Sequence, residues 1–61
     1  MTDKIKIILQ KQFSRIIWNA EIRNLTLSEY LDENTEDTLI WELCTDIAIS
    51  RGFNLLELQT K

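Results

Sequence analysis

The side chains that most often do chemistry in proteins are scarce in this 61-residue chain, which has no His and one Cys, Cys44. Without His, the usual general base, the Cys–His nucleophile and the common zinc sites are missing. We predict Cys44 on a helix flank among apolar neighbours, where burial raises the pKa of a thiol. A single Gly leaves no glycine-rich phosphate loop. We expect no enzyme, no cofactor and no small-molecule substrate.

One acidic segment has the spacing with which a calcium-binding loop begins. Asp32, Asn34 and Glu36 alternate as the first ligands of an EF-hand do. The match then fails, because the sixth position is Asp37 instead of Gly and the twelfth is Leu43 instead of Glu. We therefore expect an acidic helix junction and no metal site.

A basic and aromatic group is the main candidate for binding. At helical spacing, Trp18 and Ile22 share one face with Lys11 and Arg15. Exposed Trp is enriched at the anchor points of protein interfaces, so we predict Trp18 as the anchor and Trp41, on a later helix, as a second one. The alternative is a small nucleic-acid-binding protein, in which the cations contact phosphates and Trp18 stacks on a base.

Three arrangements are open for the two Trp side chains: the rest of the chain covers them, a second copy buries them, or another protein does. A domain of about 60 residues is marginal alone and is usually stabilised by disulfides, a metal or a partner subunit. The composition excludes the first two, so we expect a homo-oligomer or binding to another protein. A regulator, an inhibitor or an assembly adaptor, such as a phage or plasmid accessory protein, fits this description.

The elements that position these residues are predicted to be helical throughout one domain, residues 1–61. A long helix is predicted over 3–24, with Thr2 or Asp3 as its N-cap. A break at Asn24 precedes a capping box, Thr26 to Glu29, which predicts a short bridging helix to about residue 32. The inward residues of these two helices are predicted to be Ile5, Leu9, Phe13, Ile16, Ala20, Leu27, Tyr30 and Leu31.

A second main helix is predicted over 36–50, capped by Asn34 or Thr35 and ended by Gly52 in a left-handed conformation. Its main face is predicted to hold Leu39, Ile40, Leu43 and Ile47, with Cys44 at the flank. The apolar tail over 53–58 is a strand, a helical turn capped by Asn54 or an extended segment, since periodicity does not separate these for so short a run. The fold class is all-α, a helical hairpin with a docking tail.

The charges are unevenly divided along the chain. Residues 1–25 hold five Lys and Arg against two Asp and Glu, a net charge of +3, and residues 26–61 hold two against eight, a net charge of −6. Such asymmetry indicates either a polar interaction surface or two halves of a hairpin that attract each other. Charged and amide residues interrupt each apolar run, so we expect no signal peptide and no membrane span, and one thiol suits the cytoplasm.

Overall fold

The computed structural model describes residues 3–59 and shows four helices, which confirms the predicted all-α fold. They are α1 (Lys4–Ile22), α2 (Leu27–Glu33), α3 (Thr35–Ser50) and α4 (Leu55–Leu58). Both main helices and the bridging helix lie within two residues of their predicted bounds. Of the three possibilities for the tail, the structure has the helical turn. Thr2, one of the two predicted N-caps of the first helix, lies outside the described residues.

The helix starts are set by short side chains that accept backbone hydrogen bonds. Asp3 caps α1, its carboxylate accepting from two N–H groups of the first turn at 3.0 and 3.4 Å. The predicted capping box of α2 is present: Glu29 N–H donates to the Thr26 hydroxyl at 3.2 Å, and Thr26 N–H donates to the Glu29 carboxylate at 3.1 Å. This backbone hydrogen bond from Thr26 lowers the pKa of Glu29.

Two of the helix ends share one design. Asn24 after α1 and Gly52 after α3 have φ values of 60° and 75°, the left-handed region. In both, the residue after the left-handed one donates its N–H to a carbonyl five positions earlier. Leu25 donates to Ala20 at 3.0 Å, and Phe53 donates to Ala48 at 2.9 Å. The predicted stop at Gly52 and the predicted break at Asn24 are therefore confirmed, and each turns the chain back toward the core.

The core lies between α1 and α3, which pack antiparallel, and consists of two adjoining clusters. One joins the N-terminal half of α1 to the C-terminal half of α3 and to α4; its buried members are Leu9, Phe13, Cys44, Ala48 and Leu58. The other joins the opposite ends to α2; its buried members are Ile16, Ala20 and Tyr30. The predicted inward face of α1 is thus confirmed, and Phe13, Ile16 and Leu58 are fully buried.

The inward face of α3 differs from its prediction. Leu39 and Leu43, expected on the main face, are each 61% exposed, whereas Cys44, expected at the flank, is buried. The helix is rotated so that Cys44 and Ala48 face α1, with Leu58 of α4 packed beside them. Small side chains at these positions allow the helices to approach closely, and close packing outweighs the larger hydrophobicity of the two leucines.

The junction between α2 and α3 is a single residue, Asn34, which stands at the N-cap position of α3 as predicted. Its side chain makes no cap hydrogen bond there. Instead its Nδ2 donates at 2.8 Å to the carbonyl oxygen of Tyr30, which also accepts the backbone N–H of Asn34 at 3.1 Å at the end of α2. The cap prediction is therefore right in position and wrong in its hydrogen bond.

Candidate functional site

The outward side of α1 carries the residues predicted to bind a partner. They recur at steps of three and four along one helix, so the helix brings them onto a single face: Ile7, Lys11, Arg15, Trp18 and Ile22. We call this group the Trp18 face. Trp18 is 61% exposed and Ile22 is 60% exposed. All but Ile22 line a shallow groove that runs along the helix, with Gln10 and Ser14 at its side.

The two cations of the Trp18 face differ in what they contact. The Arg15 guanidinium lies 3.5 Å from a carboxylate oxygen of Asp37 on α3 and donates to the side-chain oxygen of Gln12 at 3.3 Å. The Lys11 ammonium takes part in neither of the ion pairs found within residues 3–59, which are Arg15–Asp37 and Lys6–Glu57. Lys11 is therefore the cation beside Trp18 whose charge is not used in an ion pair within the described residues, whereas Arg15 is paired with Asp37.

Asp37 is the centre of a polar contact that ties the three larger helices together. It accepts a hydrogen bond from the Tyr30 hydroxyl and pairs with Arg15, so α1 and α2 both reach α3 through one carboxylate. The hydrogen bond to Asp37 raises the pKa of Tyr30, burial raises it further, and a hydrogen bond with Asn19 acts in the opposite direction. This arrangement explains why the Arg15 guanidinium points toward the hairpin.

Trp41, predicted as the second anchor, occupies a different environment from Trp18. Its ring meets Phe13 edge-on at a centroid distance of 4.7 Å, and it packs against both core clusters. Of the three arrangements left open by the sequence, coverage by the rest of the chain is the one seen for Trp41, which is partly buried. A binding role for its remaining surface stays a prediction. What the structure shows of Trp41 is its packing against the core.

A second exposed apolar surface includes residues of α3 that the sequence predicts to be core. Ile8 of α1 is 55% exposed, and Leu39 and Leu43 of α3 are each 61% exposed. Ile8 lines a groove between the two helices together with Ile47, which is one turn beyond Leu43. We call Ile8, Leu39, Leu43 and Ile47 the Leu43 face. The pair of small residues four apart, Cys44 and Ala48, is the signal that points the other side of α3 inward.

Catalytic and metal chemistry gain no support from the arrangement of side chains. Burial raises the pKa of the Cys44 thiol, more than the charge of Arg15 lowers it. Within residues 3–59, no three His, Cys, Asp or Glu side chains are grouped so as to hold a metal ion. None of the described helices combines the length and hydropathy needed to cross a membrane.

Comparisons with protein-family models, curated proteins and solved structures find no significant match. A function must therefore be inferred from the surface of the chain itself. It is unusual in one respect: within residues 3–59, seven large apolar side chains are more than half exposed, beside a core of eight buried residues. Scattered single apolar residues are normal on protein surfaces, but here five of the seven fall on the Trp18 face and the Leu43 face.

Proposed function

We propose that this chain is a cytoplasmic, non-enzymatic protein-interaction module that acts by stoichiometric binding, with Trp18 as its anchor. The observation that carries the proposal is an indole that is 61% exposed in a groove with Lys11 and Arg15. Trp and Arg are the residues most enriched among those that dominate binding energy. Trp18 is four residues before the end of a 19-residue helix, so it is presented with little loss of conformational entropy on binding.

The chemistry of the Trp18 face defines the partner that it fits. The face combines the apolar Ile7, Trp18 and Ile22 with the cation Lys11, and its groove runs along the helix. An apolar ridge flanked by carboxylates, such as an amphipathic acidic helix, matches both features. A regulator, an inhibitor or an adaptor that occupies such a ridge needs no catalytic group.

The test is the affinity for a partner captured with the tagged full chain and then purified. We expect Trp18→Ala to weaken this binding by about 2 kcal/mol or more, roughly thirtyfold, in a calorimetric titration. Ile49→Ala is the matched control, because Ile49 is 60% exposed on α3 and outside both apolar faces. Equal affinities of the wild-type and Trp18→Ala chains would contradict the proposal, and so would the lack of any stoichiometric partner.

Nucleic-acid binding is the second candidate, and one observation favours it: Trp18, Lys11 and Arg15 line the same groove. Stacking on Trp18 and phosphate contacts from the cations would then act together. Because Arg15 is paired with Asp37 and Lys6 with Glu57, few cations remain for phosphates. This function predicts affinity for mixed single-stranded oligonucleotides that falls steeply with salt, with a shallower slope for Lys11→Ala. No retention at low salt would remove it.

A further inference from the structure

The outward side of α3 has the chemistry that the Trp18 face is proposed to bind. Four of its residues recur at steps of three and four, so they share one side of the helix: Glu36, Leu39, Leu43 and Asp46. We call this group the acidic ridge. All four side chains are exposed, and the two leucines are each 61% exposed. The chain therefore carries on its own surface an apolar ridge with a carboxylate at each end.

The acidic ridge and the Trp18 face have complementary charges. α3 holds four Asp and Glu and no Lys or Arg, and of these acids only Asp37 takes part in an ion pair within residues 3–59. Arg51, beyond the end of α3, lines a groove with Asp46, whereas Glu36 lines a shallow pocket whose described residues include no cation. Glu36 and Lys11 are thus the acid and the cation whose charges the fold leaves for a partner.

The spacing of these groups along the two helices is also matched. Lys11 precedes Trp18 by seven residues on α1, and Glu36 precedes Leu43 by seven residues on α3. Seven residues are two turns, about 10 Å along either helix. A copy of α3 laid parallel to α1, with Leu43 on Trp18, therefore brings the two charges opposite each other. Leu39 then lies over the groove between Lys11 and Trp18.

Within one molecule the two surfaces point away from each other. Trp18 lies about 180° around α1 from the buried Leu9, and Leu43 lies about 140° around α3 from the buried Ala48. Because α1 and α3 pack through Leu9 and Ala48, the Trp18 face and the acidic ridge are on the two outer sides of the hairpin. A chain therefore cannot fill its own groove, and only the ridge of another chain reaches it.

We propose that the Trp18 face binds the acidic ridge of a second copy of this chain, with Leu43 on Trp18 and Glu36 opposite Lys11. The inference rests on the proposed function, because it names the partner of the same face. The contact removes exposed apolar surface of the indole and the leucines from water. It joins two different surfaces, so copies add head-to-tail and each new copy presents another free face.

The first test is sedimentation equilibrium of the full chain over a range of concentrations. We expect a mass that grows with concentration beyond two chains. Trp18→Ala and Leu43→Gln should each raise the dissociation constant about tenfold or more, with circular dichroism to verify that both fold. Leu56→Gln is the matched control, because Leu56 is 79% exposed on α4 and belongs to neither surface. We expect it to assemble as the wild type does.

The second test is the mass of an equimolar mixture of Trp18→Ala and Leu43→Gln. The first variant keeps an intact acidic ridge and the second keeps an intact Trp18 face, so a single contact between unlike chains can form. That contact leaves no intact surface for a third chain. We expect a mass of two chains in the mixture at concentrations where each variant alone is monomeric. A mixture that stays monomeric overturns the proposal.

The third test is a charge exchange, which holds even if Leu43→Gln fails to fold. Lys11→Glu and Glu36→Lys each place like charges opposite each other, and we expect each to weaken assembly severalfold. In an equimolar mixture of the two variants, every contact between unlike chains pairs opposite charges. Assembly should therefore return in the mixture, and its failure to return overturns the proposed alignment of the helices.

The outcomes separate this inference from the proposed function. A wild-type chain that is monomeric throughout overturns the self-assembly, while the titration of another purified partner against Trp18→Ala still decides the proposed function. A mass that levels off at two chains also overturns the inference, since it shows a closed pair instead of head-to-tail addition. An assembly that Leu43→Gln weakens and Trp18→Ala leaves intact overturns it too, because the contact then lies outside the Trp18 face.

Discussion

The two tryptophans of this chain are opposites, although both stand off the predicted apolar face of a main helix. Trp18 on α1 is 61% exposed, whereas Trp41 on α3 packs edge-on against Phe13 and joins the two core clusters. The difference comes from what packs beside each helix. The α2 and α4 segments supply Tyr30, Leu31, Leu55 and Leu58 to the clusters that Trp41 contacts, and none of them reaches the outward side of α1.

This contrast teaches that the short helices decide which Trp becomes core. α4 has only four residues and α2 has seven, yet each brings a buried side chain, Leu58 and Tyr30, into one cluster. Helices this short are not stable alone, so their position is set by the apolar side chains that they bury. The chain thus partly buries one indole and leaves the other 61% exposed.

The sharpest way to break the contrast is Trp41→Ala. We expect the free energy of unfolding to fall by about 3 kcal/mol, because the substitution leaves a cavity between the two clusters. Urea unfolding followed by circular dichroism measures this loss. A change below about 1 kcal/mol would mean that Trp41 contributes little to the core and that the two indoles are alike after all.

Leu58→Ala tests whether α4 is what covers Trp41. Leu58 is fully buried, so we expect a loss of about 2–3 kcal/mol and a red shift of the Trp41 emission in a Trp18→Phe background. Leu56→Ala, on the same helix but 79% exposed, is the control and should leave both readouts unchanged. An unshifted emission would show that α4 does not shield the indole.

Tyr30→Phe tests the hydrogen bond that ties α2 to α3. It removes the hydrogen bond to Asp37 while keeping the ring, and we expect a loss of about 1.5 kcal/mol at neutral pH. The same urea titration measures it. Asp37→Asn should cost more than this, since Arg15 also loses its ion pair; the reverse order would show that the Tyr30 contact dominates.

The raised pKa of Tyr30 also gives a pH dependence with a definite sign. The hydroxyl donates only when protonated, so its contribution to stability is complete below the unfolded pKa of about 10. The contribution is lost as the pH rises through the higher pKa of the folded protein. We expect the wild type to lose stability above pH 10 more steeply than Tyr30→Phe, in urea titrations at several pH values. Parallel curves would contradict the assignment.

Trp18→Ala is expected to have the smallest effect on stability, within about 0.5 kcal/mol of the wild type. In single-tryptophan chains, acrylamide should quench Trp18 strongly and Trp41 weakly. A large loss of stability in Trp18→Ala would mean that the indole packs against the fold, and the contrast with Trp41 would disappear.

Much of the fold is predictable because the helix starts and stops are local. The capping box at Thr26 and the left-handed Gly52 are each decided by hydrogen bonds within about five residues, and both are as expected. The periodicity of α1 likewise places Trp18 off the buried stripe, although it leaves open whether the rest of the chain covers the indole. Periodicity works there because the buried stripe of α1 is also its most hydrophobic one.

The rotation of α3 was beyond such reasoning, because it depends on volumes contributed by distant residues. Leu39 and Leu43 have larger apolar side chains than Cys44 and Ala48, yet the small pair faces α1. The choice follows from close packing with Phe13 of α1 and from α4, whose structure the sequence leaves open among three alternatives. The position of Trp41 depends on the same choice, so its packing against the core, one of three arrangements that the sequence leaves open, and the unexpected exposure of Leu39 and Leu43 have one origin.

The brevity of α4 has a consequence for how the native protein opens. Its hydrogen-bonded amides belong to a single turn, held in place mainly by the side chain of Leu58. Amide hydrogens of that turn should therefore exchange with solvent through an opening of lower free energy than global unfolding. During each opening the flank of Trp41 is wetted while α1, α2 and α3 stay paired. The opening equilibrium of α4 therefore determines how often the indole of Trp41 is exposed to water.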